Sequence, residues 1–472
     1  MKILAPWMMV LVALLPDFAK AQTYTEVYGF SLYSGSFANN DGAVPYCSLV
    51  LSGNVLYGTT SSGGTNGQGT VFSVQADGQN FKALHTFSAL SSGFYGYNSD
   101  GAQPYANLVL SGDNLYGTAY GGGSAAYGTV FRLNIDGGGF TNLHSFTDGL
   151  GAPRGGLLLS SNVLFGTTFT GGAGYGSVFK INTNGTGFMT LHSFTSLPND
   201  AGNPAGGLVL SGNTLYGTAA AGGSLGGGAV FALSTTGTGY TNLANFQLHS
   251  GQSQSSTNTT GGQPYASPLL VGDTLYGTTL YGGTNGNGVI FAVKTNGTGF
   301  TNMHTFAPGV EGSVGATNAD GVSPECQLVL VGSNLYGTTL TGGTNGYGVV
   351  FAINTNGTGF RVVYNFVPVF NGAFVSIGGD GAGAGLIVSG NTFYGTTING
   401  GIADGNVYAL DLSIPLAAQF SGGKLVLSWA NSAFTLQATP SLGVSFTNVI
   451  NATSPYTNTA AGSQLFFRLQ AN

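Results

Sequence analysis

One phrase recurs seven times along the chain. Residues 275–300 read LYGTTLYGGTNGNGVIFAVKTNGTGF and residues 335–360 read LYGTTLTGGTNGYGVVFAINTNGTGF; looser copies begin at Leu56, Leu115, Leu164, Leu215 and Phe393. A tandem repeat constrains the fold more than composition does. Each copy must form the same supersecondary unit and bury its apolar face against the next copy. The spacing is strict. The anchors Tyr57, Tyr116, Phe165, Tyr216, Tyr276, Tyr336 and Tyr394 are followed 14 or 15 residues later by Phe72, Phe131, Phe179, Phe231, Phe291, Phe351 and Tyr408. A third aromatic comes 15 residues further on, at Phe87, Phe146, Phe194, Phe246, Phe306 and Phe366. Pro45, Pro104, Pro153, Pro204, Pro264 and Pro324 each stand 12 residues before an anchor, and the seventh copy has Ala382 there.

Four short strands fit inside one copy. In the first they are SLVLS (48–52), VLYGTT (55–60), TVFSV (70–74) and FKALHTF (81–87). Glycine and asparagine punctuate them, and TNGTG supplies the positive-φ residues that a tight hairpin demands. Four antiparallel strands repeated seven times predict an all-β, seven-bladed β-propeller. The seventh copy ends after its third strand, NVYALDL (406–412), while TEVYGF (25–30) aligns with the fourth-strand segment TNLHSF (141–146). The N-terminal strand is therefore expected to complete the last blade, which leaves no open strand edge. A parallel solenoid has no use for Asn-Gly hairpins. A transmembrane barrel requires strands of about 9–11 residues, longer than these.

The chain has 472 residues, of which 83 are Gly and only 6% are charged. Low complexity of this kind suggests disorder, but 31 Phe and 23 Tyr at regular spacing exclude it. A net charge of −6 without a basic run excludes a nucleic-acid partner. The N-terminus has Lys2, an apolar run from Ile3 to Leu15, and Ala19-Lys20-Ala21. Residues 1–21 read as a signal peptide with Gln22 as the first mature residue, so a secreted or cell-surface monomer is expected. No later segment is apolar and long enough to cross a membrane as a helix. Residues 22–412 are assigned to the propeller. Residues 413–472, with KLVLSW, FTLQAT, SFTNVI and LFFRLQ, form a small all-β domain of sandwich type in which Trp429 is a core candidate.

The unit L-x-L-S-G-N-x-L-Y-G-T-T-x-x-G-G-x-x-G-x-G-x-V-F, followed by G-T-G-F-T-N-L-H-S-F, resembles the GloVer tandem repeat of secreted bacterial proteins, over residues 25–412. The tail is similar to a short C-terminal module of exported proteins from the same bacteria. The resemblance implies an extracellular or surface protein of unestablished activity, and it supplies no catalytic residues.

Most candidate reactive groups fall on the repeat. His85, His144, His192 and His304 share one register in the fourth strand, where blades diverge, so packing is the expected role. Asp41, Asp100, Asp320 and Asp380 each precede a Gly, with Asp200 a looser relative, and read as turn formers. Asn184, Asn296 and Asn356 open Asn-Gly-Thr triplets, which match both a sequon and a hairpin turn. Cys47 and Cys326 occupy one repeat register and read as small buried side chains, with a single disulfide as the alternative. No cofactor or metal motif is present in the sequence.

The informative residues are those that do not repeat. The connections between fourth and first strands vary in length, from 7 residues between Phe146 and Pro153 to 18 between Phe246 and Pro264. The residue after the repeat Pro also varies: Tyr46, Tyr105, Arg154, Ala205, Tyr265 and Glu325, with Gly383 in the seventh copy. It is expected near the channel mouth. Tyr46, Tyr105, Arg154, Tyr265 and Glu325 are the ligand-binding candidates, flanked by the long loops 247–263 and 307–323. Tyr rings stack on sugars, and Arg and Glu take hydroxyls or charges; the plainer role is capping the channel. Two functions follow: a non-catalytic binder of a glycan or surface polymer, or a propeller lyase or glycosidase. The first is favoured, because Glu325 is the one carboxylate in this register and a glycosidase uses two.

Overall fold

The computed structural model describes residues 23–32, 37–91, 96–147, 149, 151–195, 199–248, 257–312, 315–367, 385–398 and 404–412, and the strands of the C-terminal part. The expected signal peptide, Trp429, Asp380, Ala382 and Gly383 lie outside the described residues. The chain divides into one compact unit spanning Tyr24–Leu410 and a second that contains the segment from Asp411 onward.

The first unit is a seven-bladed β-propeller, and no described residue of the chain is helical. In blade 1 strand a is Val50–Ser52, strand b Val55–Thr60, strand c Thr70–Gln75 and strand d Lys82–Thr86. They pair in the order a-b-c-d, and blades 2–6 repeat this. Strand a is two residues shorter than the sequence suggests, so the mouth residue lies in the segment before it rather than at its start. Blade 7 consists of Ile387–Ser389, Thr392–Thr397 and Asn406–Asp411, and its fourth strand is the N-terminal Thr23–Gly29. The ring closes as the incomplete seventh copy predicts.

The repeated words are contacts. Phe72 of strand c lies over Gly58 of the neighbouring strand b, its direct cross-strand partner. A Cβ at Gly58 would stand 2.6 Å from the Phe72 ring, so Tyr-Gly-Thr admits no side chain at its centre. The 15-residue aromatic spacing builds the blade interfaces. The ring that ends strand d of one blade meets the strand-c ring of the next edge-on, as in Phe87–Phe131 at 5.5 Å and Phe306–Phe351 at 5.5 Å. Phe30–Phe72 at 5.2 Å makes the same contact across the closure. The anchors fill the same interfaces: Tyr57 packs among Leu108, Leu115 and Phe131 of blade 2.

Nearer the axis, the first Thr of the word stitches blades together. Thr59 donates to Ala106 O, Thr278 to Cys326 O, and Thr396 of blade 7 to Cys47 O of blade 1. The residue before each repeat Pro holds a left-handed conformation: Val44, Gln103, Ala152, Asn203, Gln263 and Ser323 have φ between 54° and 57°. Such a backbone is strained in a non-glycine residue. It is held because the N–H donates to the b–c loop of the preceding blade, as Gln103 N does to Gln68 O, while the carbonyl accepts from its own blade, as Gln103 O does from Tyr120 N.

Cys47 and Cys326 are free and buried, without the alternative disulfide. Each sulfur accepts a backbone N–H, from Thr59 at 3.0 Å and Thr338 at 2.9 Å. The second unit holds two three-stranded antiparallel sheets, one of Ala417–Ser421, Lys424–Ser428 and Tyr456–Asn458, the other of Thr447–Asn448, Phe434–Thr439 and Phe466–Ala471. Leu427 and Leu436, one from each sheet, are buried.

Candidate functional site

The d–a connections and the b–c loops emerge on one face of the propeller, where they bond to each other: Ala43 pairs with Ser62, and Asn39 accepts from both Gly42 N and Gly64 N. At the centre of that face the segments after the repeat Pro converge. Tyr46, Tyr105, Arg154, Tyr265 and Glu325, from blades 1, 2, 3, 5 and 6, line one cavity with the polar side chains of Ser48, Asn107, Ser267 and Gln327 behind them.

Glu325 is the hub. Its carboxylate accepts from Tyr46 Oη at 2.9 Å and faces Arg154 Nη2 at 3.6 Å. The Arg154 guanidinium lies 5.3 Å from the centre of the Tyr265 ring and 5.7 Å from that of Phe169. Tyr46 meets Tyr105 edge-on at 6.0 Å, and Tyr105 meets Tyr120 edge-on at 5.6 Å. Arg154 reaches blades 5 and 6 past Ala205, the small residue of blade 4. Burial pushes the Glu325 carboxyl above its usual range, although Arg154 and the Tyr46 hydroxyl favour the ionised form. Burial likewise raises Tyr46, Tyr105 and Tyr265, so these phenols are neutral donors at neutral pH.

Two spaces share these side chains. The inner one, of about 70 Å³, runs down the axis beneath them. The outer one, of about 320 Å³, is lined by Tyr46, Arg154, Tyr265 and Glu325 on its floor and by Leu280, Tyr281, Ser323, Leu340 and Thr341 of blades 5 and 6 at its sides. Tyr46, Arg154, Tyr265 and Glu325 thus form a septum across the channel with a vestibule above it. The long loops expected beside this site are described only in part, up to Leu248 and from Thr257 in one, and apart from residues 313–314 in the other.

The repeated Asp has a different role from the one its sequence context suggests. The turn is made by Asn39, Asn98 and Asn318, three residues before the Gly, whose side chains accept its N–H. The Asp side chains reach strand d instead. His85 Nε2 stands 3.0 Å from Asp100, His192 3.0 Å from Asp200 and His304 2.8 Å from Asp320. Tyr28 takes the place of His in blade 7 and donates to Asp41 at 2.9 Å. Each His stacks on a ring of the next blade, as His304 does on Phe360 at 3.6 Å, so packing and a hydrogen-bonded staple coincide. The signal was present in the sequence, since these His share a register and an Asp follows each, 8 to 16 residues later. The Asn-Gly-Thr triplets are hairpin turns closed by Thr186, Thr298 and Thr358 donating to Asn184, Asn296 and Asn356. Among the described residues no cluster of three or more His, Cys, Asp or Glu is placed to hold a metal ion.

A family model for the Gloeobacter/Verrucomicrobia repeat matches residues 21–159 and 252–426, which is more than half of the chain. The chain belongs to this family. No curated protein matches this repeat protein in sequence. Among solved structures it is similar to PorZ, a surface component of the type-IX secretion system of Porphyromonas gingivalis, at 13% identity and a TM-score of 0.50 over 93% of this chain and 60% of PorZ. It is also similar to an oligogalacturonate lyase of Vibrio parahaemolyticus, at 8% identity and a TM-score of 0.48 over 84% of this chain and 98% of the lyase. At these identities the likeness concerns the propeller fold alone.

Proposed function

We propose that this repeat protein is a secreted, non-catalytic binder whose channel mouth takes an extracellular glycan or surface polymer. The observation that carries this reading is the convergence of three tyrosines and an Arg–Glu pair under an open vestibule, in a chain that otherwise repeats itself. Half-buried Tyr rings offer apolar faces for sugar rings, and their hydroxyls offer donors held in place by neighbours. Glu325 is the one carboxylate lining either space among the described residues, and its oxygens already face Tyr46 and Arg154. Hydrolysis of a glycosidic bond by the usual route uses two carboxyl groups about 5–9.5 Å apart, so binding is favoured over a lyase or glycosidase activity.

The test is binding of the mature protein to an array of neutral and acidic polysaccharides. A Tyr46→Ala/Tyr105→Ala/Tyr265→Ala variant that melts with the parent is expected to lose most of its affinity, while Asn296→Ala in the opposite-face turn keeps it. Retained affinity in the triple variant removes the mouth from consideration. Release of reducing or unsaturated ends that Glu325→Gln abolishes would establish the enzymatic reading instead.

A further inference from the structure

The septum and vestibule occupy only part of the face, and the rest of it is not uniform. Around most of the ring 15–18 residues separate the Phe that ends strand d from the following repeat position, whereas 7 separate Phe146 from Pro153 and 10 separate Phe194 from Pro204. The connections into blades 3 and 4 are therefore the shortest on the face. Apart from Arg154, the channel lining of the same sector is small, since Gly155, Gly156, Ala205, Gly206 and Gly207 present backbone and a single methyl.

Two exposed rings stand on that sector. The b–c loops of blades 2 and 3 carry Tyr127 and Tyr175, each 42% exposed, where blades 1, 4 and 5 have Gln68, Gly227 and Asn287 and blade 6 has Tyr347, which is buried. Their backbones are tied to the mouth segments. Tyr127 O accepts from Ala152 N at 2.8 Å and Tyr175 O from Asn203 N at 2.6 Å, and these donors lie two residues before Arg154 and Ala205. Two residues of chain span at most about 7 Å, so the loop positions that carry both rings stand next to the mouth segments. They lie across the axis from the vestibule of blades 5 and 6. Charge narrows the occupant further. Among the described residues of the propeller Arg154 is the only Lys or Arg on this face, and Glu325 already faces it. Lys82, Arg132, Lys180, Lys294 and Arg361 stand toward the c–d hairpins on the other face.

From this arrangement, and resting on the glycan reading above, we infer that the ligand is an uncharged, extended polysaccharide that crosses the face. It enters the vestibule over blades 5 and 6, passes the septum, and leaves over blades 3 and 4 with Tyr127 and Tyr175 as outer stacking platforms. A short oligosaccharide fills the mouth alone, whereas a long chain also reaches the outer rings.

The experiment uses the whole mature protein, immobilised xylan, mixed-linkage β-glucan, galactomannan and polygalacturonate, and the disaccharide fragment of whichever binds. A Tyr127→Ala/Tyr175→Ala variant is expected to weaken polymer binding about tenfold, on the order of two lost ring contacts, and to leave disaccharide binding unchanged. A mouth variant, Tyr46→Ala/Tyr265→Ala, is expected to lose both. If the mouth variant loses both ligands but the outer variant binds polymer like the parent, the path over blades 3 and 4 is wrong and the mouth reading stands. Polygalacturonate binding as tightly as the neutral polymers overturns the uncharged class. Absence of binding to every glycan, or full binding by the mouth variant, overturns the glycan reading itself.

Discussion

Two registers of the repeat vary from blade to blade, and they have opposite structural outcomes. At the outer register in strand d the residues are His85, His144, His192, Ala244, His304, Tyr364 and Tyr28. His85, His192, His304 and Tyr28 each bond an Asp of the adjoining d–a connection, as His304 does Asp320 at 2.8 Å, and His144 stacks on Phe188 of the next blade. At the inner register the residues after the repeat Pro find partners in blades that are not neighbours: Tyr46 of blade 1 bonds Glu325 of blade 6, 279 residues away in sequence. The cause is radius. Blades diverge outward, so a substitution at the rim is felt within one blade interface. At the axis the blades meet within side-chain reach, and changes in separate copies act on one site. A repeat protein of this shape can therefore keep its scaffold and alter its chemistry by changing the inner register alone.

The largest test of that division concerns the part that does not vary. Removing residues 22–30 takes away strand d of blade 7, the Phe30–Phe72 contact and the Tyr24–Asn406 hydrogen bond. Thermal unfolding should then occur far below the parent transition or lose its cooperativity, since the ring opens and a strand edge is bared. A truncated protein that melts like the parent would show that closure contributes nothing. Next, Tyr276→Ala empties the interface formed with Leu328, Leu335 and Phe351 of blade 6 and removes a donor to Thr355 O. Denaturant titration should report a loss on the order of 3–5 kcal/mol, as for other buried aromatics.

The two varying registers are separated by double-mutant cycles. His304→Ala leaves a mostly buried Asp320 without its imidazole partner and should cost about 1–3 kcal/mol. It should couple to Asp320→Asn and add independently to His85→Ala, because the rim staples share no neighbours. At the mouth, Tyr46→Phe and Arg154→Met should each cost about 1 kcal/mol and should couple measurably through Glu325, although they lie in blades 1 and 3. Additive behaviour at the mouth, or coupling between rim staples, would erase the contrast.

The smallest expected effects are in pH dependence, and they run in one direction. Burial pushes the Asp200 carboxyl up, but hydrogen bonds from His192 and Thr195 outweigh it and hold it below its usual range. Its contribution is therefore complete above the unfolded-state value, about 3.9, and is lost as pH falls through the lower folded value. Burial lowers the His144 imidazole, so the folded protein resists its protonation. Stability should decline as pH drops below about 6.5, the unfolded-state value, toward the folded one. His144→Phe should flatten that part of the stability profile and leave the acid limb, to which Asp200 contributes, in place.

How much of this was legible without coordinates follows from the same geometry. Blade number, strand order, the hairpin turns and the strand borrowed from the N-terminus are all written in the repeat, because each depends on contacts within one copy or between identical faces of successive copies. Strand b of blade 1 ends where the pattern VLYGTT ends, and the missing fourth strand of the seventh copy announces its own partner. The five mouth residues were identifiable as the positions that break the repeat. What they touch was not. That Glu325 joins Tyr46 and faces Arg154, that Arg154 lies over Tyr265, and that the four form a septum beneath a vestibule depend on the radius of the closed ring and the reach of each side chain across it. The repeated Asp shows the same limit from the other side: its neighbours in sequence suggest a turn, yet Asn98 makes the turn and Asp100 reaches His85 in the preceding strand. Local sequence determined the blade, because hairpin register and aromatic spacing are short-range. Only the closed ring decided which non-repeating residues meet, because their contacts run between copies that are far apart in the chain and side by side only at the axis.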